Sequence, residues 1–215
     1  MVKFREIPDP VRPREALELE WTPLTKVGKK VKDGKIRTID ELFAVTKRIP
    51  EWQIVDWLVP EIRAEVLNIT VVQRQTDSGR KMAFRALVAI GNQDGYIGVG
   101  IGRHAEQRQA ILKALQRAKL NIAPVLRGCG SWECRCGQPH SVPFRTEGKL
   151  GSVRVIFYPG PRGLGLVAGE VAKRLLNLAG IRDVWSKTFG ETSTHINFAQ
   201  AVYYCLLYTS PSPRD

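Results

Sequence analysis

Cys129, Cys134, Cys136 and His140 put three thiols and one imidazole within twelve residues. Thiolate sulfur and imidazole nitrogen are the donors that close a tetrahedral shell around Zn²⁺. The intervals between them are four residues, one and three, not the paired two-residue knuckles that make zinc fingers easy to recognise. Two readings follow: a structural zinc with Cys129, Cys134, Cys136 and His140 as ligands, or free thiols in a packed loop. A closed four-ligand site would staple a stretch that Gly128, Gly130 and Gly137 leave too loose to hold itself. Cys205 stands alone and reads as core.

A second constellation lies between Tyr96 and Gly102, where glycine occupies 98, 100 and 102. Side chains alternate along a strand, so one face is bare while Val99 and Ile101 pack on the other. The expectation is that Gly98 and Gly100 lie open to a bulky polar partner such as a phosphate chain. Basic residues flank them: Arg74, Arg80, Lys81 and Arg85 ahead of the glycines, then Arg103 and His104 behind. The whole chain carries a formal charge of +12 on 215 residues, a balance that favours polyanions through counterion release. Residues 1–60 hold 12 Lys/Arg against 10 Asp/Glu, whereas residues 61–128 hold 11 against 5, so the surplus sits with the glycines. Nucleic acid is the leading partner class. No run of about 18 apolar residues is present and no apolar segment follows Met1, so a cytoplasmic protein with no membrane partner is expected.

Two other glycine-rich turns raise the nucleotide question. Gly100-Ile-Gly102-Arg-His-Ala105 fits a dinucleotide fingerprint in its alanine variant. That motif requires an acidic residue about 20 positions on, and no Asp or Glu occurs between Glu106 and Glu133. The turn Arg162–Gly169 is similar to the phosphate loop of the kinases that handle galactose, homoserine and mevalonate, but Val167 and Ala168 stand where hydroxyl residues are expected. A tight turn needing glycine for packing is the better reading. His195 beside Ser193 and Thr194, or Asp183 with Lys187, have no motif around them. No catalytic residue is assigned and no enzyme is expected.

The elements that must position these groups follow from periodicity and punctuation. Lys26, Lys29, Lys30, Lys32, Lys35 and Arg37, interrupted by Gly28 and Gly34, predict an irregular basic arm. Thr38 with Glu41 makes a capping-box start for a short helix through Lys47, and Pro50 opens another carrying Trp52, Ile54, Val55, Trp57 and Leu58. A short helix is expected around Glu61–Glu65. Strands are expected over Val66–Val72 and Lys81–Ile90, turned by Asp77-Ser78-Gly79, and then the glycine strand. Helical spacing runs from Ala105 to Leu120. After the cysteines come a strand over Gly151–Tyr158, a helix over Glu170–Ala179 ended by Gly180, a strand over Ile181–Trp185 and a helix over Asn197–Tyr204. From Leu206 to Asp215 the chain is out of character, with Thr209-Ser210-Pro211-Ser212-Pro213 breaking the helix, and the tail reads as foreign.

The stretches Thr76-Asp-Ser-Gly-Arg-Lys, Phe84-Arg-Ala, Gly91 to Gly102, Arg127-Gly-Cys-Gly-Ser-Trp-Glu-Cys, Pro139-His-Ser-Val-Pro-Phe and Gly151-Ser-Val-Arg-Val occur in that order. Together they resemble the universal fifth protein of the small ribosomal subunit, and the cysteine-bearing linker resembles its archaeal form. The resemblance covers about residues 40–205. Tyr158-Pro-Gly-Pro stands where that family usually has isoleucine, proline, alanine and proline.

The resemblance implies an α+β protein: an α-β-β-β-α domain similar to double-stranded-RNA-binding folds, then a βαβ-containing two-layer domain shared with the kinases above. The implied organisation is a basic extension with short helices (1–60), the first domain (61–128), a Cys/His linker (129–142), the second domain (143–205) and the tail (206–215). It further implies a constituent of the small ribosomal subunit that binds small-subunit rRNA, lies near the path along which mRNA enters, neighbours the fourth and eighth small-subunit proteins and supports translational accuracy. Carried over by position, Arg74, Ser78, Gly79, Arg80, Lys81 and Arg85, with Gly98, Gly100 and Arg103, are the expected rRNA contacts. A small-molecule kinase of the second domain's fold is the alternative.

Overall fold

The computed structural model describes residues 21–46, 48–134 and 136–210. The first twenty residues of the basic extension, the end of the first predicted helix at Lys47 and the last five residues of the tail lie outside them. Among the described residues, those up to Ile90 together with Gly100–Ile122 form one compact unit; Gly91–Val99 and those from Ala123 onward form another. The architecture is α+β, with two four-stranded sheets.

The basic arm departs from expectation. Its first part is a helix, α1 (Lys26–Lys32), because Thr25 caps it: the Thr25 hydroxyl accepts from the Gly28 N–H at 3.1 Å. Gly28 does not break the turn; a Cβ there would lie 2.9 Å from Pro23 and 3.0 Å from the Glu51 carboxylate, so only glycine fits. Val31 is buried, and Lys29, Lys30 and Lys32 sit in the last turn, where the helix dipole favours cations. Glu51 ties the segment together, accepting from the Trp21 indole (2.8 Å), the Thr25 N–H (2.7 Å) and the Thr25 hydroxyl (2.6 Å). Partial burial would raise its carboxyl, but the bonds from Thr25 and Trp21 outweigh this and hold it below the usual carboxylate range.

Helix α2 (Ile39–Val45) starts at Thr38 as the sequence predicts, its hydroxyl accepting from the Glu41 N–H, with Glu41 accepting in turn from the Arg37 N–H at 2.9 Å. Helix α3 (Gln53–Leu58) follows.

The helix expected at Glu61–Glu65 is absent: β1 (Arg63–Thr76) already runs through it. Helix propensity is a weak preference, and pairing along the thirteen residues of β2 (Gly79–Gly91) overrides it. The helix that precedes the sheet is α3. Strand β3 (Tyr96–His104), helix α4 (Gln107–Leu120) and the short β4 (Ala123–Pro124) complete a sheet ordered β1-β2-β3-β4.

The glycine face of β3 is not open. A Cβ on Gly100 would lie 2.2 Å from the Ala114 carbonyl oxygen and 2.3 Å from the Ala118 nitrogen; one on Gly102 would lie 2.2 Å from the Ala110 carbonyl oxygen. The bare strand face is therefore where the backbone of α4 lies, admitted by Ala110, Ala114 and Ala118 at four-residue spacing, all fully buried. Beside this seam Lys119 and Asp56 form an ion pair at 2.5 Å with side chains 4% and 2% exposed, and Lys119 Nζ lies 5.3 Å from the Trp52 ring centroid. Removing one partner would strand a buried charge at a cost of about 3–5 kcal/mol.

The second sheet contains β5 (Thr146–Leu150), β6 (Val153–Pro159), β7 (Leu166–Val167) and β8 (Val184–Phe189), in the order β5-β6-β8-β7. β7 is parallel to β8 and the other pairs are antiparallel, so β7, helix α5 (Glu170–Ala179) and β8 make the βαβ unit. β5 escaped the sequence reading because Thr-Glu-Gly-Lys-Leu carries almost no apolar alternation. Its Gly148 repeats the device of Gly100: a Cβ would lie 2.3 Å from the Ala201 carbonyl oxygen on helix α6 (His195–Leu207). Gly180 ends α5 at φ +80, as expected.

The tail is less foreign than it reads. α6 continues to Leu207 with Leu206 fully buried, and the buried Thr209 hydroxyl accepts from the Leu126 N–H at 3.1 Å while donating to the Leu206 carbonyl at 2.6 Å.

Gly100→Ala should destabilise the protein by about 3 kcal/mol or more in urea melts, because α4 must move off the sheet. Gly34→Ala, at φ +73 with nothing within 4 Å, meets only local strain and should cost about 1–2 kcal/mol. Equal costs for the two variants would contradict the seam.

Candidate nucleic-acid interface and metal centre

β1 and β2 form a long hairpin whose turn is Asp77-Ser78, followed by Gly79 at φ +118, a conformation that glycine supplies at little strain. The Thr76 hydroxyl donates to the Gly79 carbonyl at 2.8 Å and braces the turn. Arg74, Ser78, Arg80 and Lys81 are exposed around this tip, Gly79 and Arg85 are half-buried, and Arg103 is exposed at the end of β3. None of Arg74, Arg80, Lys81, Arg85 or Arg103 is in an ion pair among the described residues. The hairpin thus presents cations that no acidic side chain among the described residues pairs. Gly98 and Gly100 do not join them: both are buried, and Gly100 is held against α4, so the open-face premise behind their assignment is corrected. His104 is a helix-start hydrogen bonder, its Nδ1 accepting from the Glu106 N–H at 3.2 Å.

The predicted metal ligands do converge. One donor atom from each of Cys129, Cys134, Cys136 and His140 lies within 4.8 Å of all the others. Zn–S bonds of about 2.3 Å in a tetrahedron place sulfurs roughly 3.8 Å apart, so the group is close to the size a zinc ion needs. The approach of Cys134 Sγ to His140 Nε2, 3.8 Å, is slightly wider than the sulfur–nitrogen edge such a shell would have, since Zn–N bonds are shorter than Zn–S bonds. Gly128 and Ser141 exchange two backbone hydrogen bonds of 2.8 and 2.9 Å, and Gly130 packs so tightly that a Cβ would lie 2.0 Å from the Pro143 carbonyl oxygen. The Arg162 N–H hydrogen bond, followed by those with Cys136, lowers the Cys134 thiol to about 6. At Cys129, burial alone would push the thiol up, but hydrogen bonds with His140 and Cys136 leave it below its ordinary value.

Asp183 is the residue that sequence reasoning left without a role. Its Oδ2 lies 2.9 Å from His140 Nδ1, orienting the ring so that Nε2 faces Cys134, the arrangement of a carboxylate behind a metal-bound histidine. Its Oδ1 accepts from the N–H groups of Gly163 and Gly165 at 3.1 and 2.8 Å. The kinase-like turn therefore spends two of its amide donors on the protein's own carboxylate instead of a nucleotide phosphate. The signal was an acidic residue opening a strand just after Gly180, which no local motif marks because its partners lie some twenty and forty residues upstream.

Residues 62–126 match the family described as Ribosomal protein S5, N-terminal domain, and residues 148–212 match Ribosomal protein S5, C-terminal domain. A curated small ribosomal subunit protein uS5 of Pyrobaculum islandicum is 58% identical over 189 residues, covering 88% of this chain and 94% of that protein. That of Thermofilum pendens is 55% identical over 190 residues, with 88% and 94% covered. That of Aeropyrum pernix is 56% identical over 207 residues, with 94% and 95% covered. The family is one of ribosomal proteins and not of enzymes, which removes the kinase alternative. With both halves of the fold matched in order, the chain belongs to the ribosomal protein S5 family, in its archaeal type.

Proposed function

We propose that this protein is a structural constituent of the small ribosomal subunit that binds small-subunit rRNA through the β1–β2 hairpin. Arg74, Arg80, Lys81 and Arg85, with Arg103, meet phosphates, while Ser78 and Gly79 let the turn approach the RNA backbone closely. The observation that carries this reading is the run of exposed cations at the hairpin, none of them ion-paired among the described residues, on a chain of formal charge +12. The family supports the finer placement: beside the path along which mRNA enters, next to the fourth and eighth small-subunit proteins, with an influence on translational accuracy. Among the described residues no helix is long and apolar enough to cross a membrane.

The Cys129, Cys134, Cys136 and His140 group is a structural zinc site in this reading. Four protein donors leave no open position for substrate or water, so a bound zinc would supply a cross-link and no chemistry. The chain's own contribution is the braced loop, the lowered thiols of Cys129 and Cys134, and the Asp183 carboxylate that fixes His140.

Charge reversal at Arg80 and Lys81 together should weaken binding to small-subunit rRNA by about tenfold or more and lower the slope of log affinity against log salt by about two. Fluorescence anisotropy over a potassium chloride series reads both; an unchanged affinity and slope would move the interface elsewhere. Atomic absorption of the purified protein should find about one zinc per chain, and Cys134→Ser should reduce the ratio several-fold. A ratio near zero in the unaltered protein would remove the site.

A further inference from the structure

One face of the second sheet is buried by a helix, and the other carries exposed charged and aromatic side chains around a buried Ile156. Val153, Val155, Phe157 and Val184 point to the buried side, where α6 packs on β5 and β6. The register puts a different set on the other side. Glu147 pairs with Ile156 and Lys149 with Arg154; Tyr158 stands opposite Trp185, Ile156 opposite Lys187 and Arg154 opposite Phe189; Val167 lies beside Trp185. Of these, Ile156 is buried and Tyr158 half-buried, while Glu147, Lys149, Arg154, Lys187, Val167, Trp185 and Phe189 are exposed. Trp185 is 46% exposed and Phe189 43%.

Rings and cations alternate across this face. The Arg145 guanidinium lies 5.5 Å from the Tyr158 ring centroid, and Lys187 Nζ lies 5.4 Å from the Phe189 centroid. Beyond the strands the cysteine loop adds Trp132, 85% exposed, and Trp132, Tyr158 and Trp185 line an open groove of about 400 Å³ with Glu133, Pro159 and Pro161. Large aromatic side chains left this exposed mark a surface that something covers.

We infer that this sheet face is a second RNA-contact surface, one that takes single-stranded RNA by stacking bases on Trp132, Tyr158 and Trp185 while Lys149, Arg154 and Lys187 meet the phosphates. The inference deepens the RNA-binding function proposed above and rests on it, but uses a different surface and a different form of RNA. Charge selects the partner class. Arg145, Lys149, Arg154 and Lys187 share the face with Glu147, and Glu133 lines the groove; Glu147 is engaged by Arg154 and, at 3.9 Å, by Arg145, and feels the charge of Lys149, while Lys187 is in no ion pair among the described residues. The centre of a protein–protein interface is depleted of lysine, whereas a polyanion requires cations between the rings. Ring geometry selects the strandedness. A duplex hides the faces of its bases, so exposed rings on a four-stranded sheet suit unpaired nucleotides, with each stacked base adding affinity.

The test uses the full chain and two probes, a short labelled oligouridylate and a blunt RNA duplex. Trp132→Ala with Trp185→Ala should weaken oligouridylate binding by about tenfold and leave duplex binding unchanged. Both residues are surface side chains, so thermal melts should coincide with those of the parent protein; Trp185→Phe keeps a ring and should retain most of the binding, while Lys187→Glu should lose it. Oligouridylate binding by the double tryptophan variant equal to that of the parent overturns the inference. If that variant binds oligouridylate normally yet no longer joins the small subunit, the face holds a protein and the RNA assignment likewise falls. Arg80→Glu with Lys81→Glu separates the two surfaces: lost duplex binding with intact oligouridylate binding supports both, and intact duplex binding removes the hairpin reading alone.

Discussion

Contact between helix backbone and strand backbone, with no side chain between them, is the constraint on which the fold rests. At Gly100 and Gly102 the main chain of α4 comes so near that a single added carbon would overlap it. The approach needs absence on both sides: glycine on the strand, and alanine at 110, 114 and 118 on the helix. Gly148 meets Ala201 and Cys205 of α6 in the same way. A seam of this kind gives up bulky apolar area and gains close-packed dispersion contact along the elements. It also keeps α4 on the sheet, leaving the far end of the β1–β2 hairpin free to carry its cations.

Much of this was legible in the sequence, and the misses have physical causes. Three glycines on one strand face announce a close approach, but they do not say whether the partner is another molecule or the chain's own helix. The Ala110, Ala114 and Ala118 stripe at four-residue spacing is the other half of that signal, carried by residues too small to stand out beside the larger apolar side chains of the same helix. The hairpin, the capped start of α2 and the span of α5 followed from local rules that tertiary contacts reinforce. α1 did not, because Gly28 and Gly34 read as breaks and the carboxylate that anchors its start, Glu51, lies 26 residues from Thr25. β5 was hidden by its polar alternate residues, which lie on the exposed face of the second sheet. The convergence of Cys129, Cys134, Cys136 and His140 was expected from composition, while the carboxylate behind His140 comes from a residue more than forty positions away.

Asp183 shows how one residue can turn a ligand-binding geometry inward. A glycine turn ahead of a helix presents amide N–H groups that elsewhere cradle phosphate. Here Gly163 and Gly165 direct theirs at the Asp183 carboxylate, which also holds His140. The turn and the cysteine loop are thereby joined through hydrogen bonds, and the βαβ unit serves as a frame for the loop rather than as a nucleotide site. The result is a glycine seam in each unit, with cations at a hairpin in one and on a sheet face in the other, the arrangement that the work proposed above, holding RNA, requires.

Sedimentation decides whether that work is done on the ribosome. Lysate from cells expressing the tagged chain, run through sucrose gradients at moderate and at high salt, should show it travelling with the small subunit at both. Protein remaining at the top of the gradient as free chain, while small subunits sediment normally without it, would contradict the account.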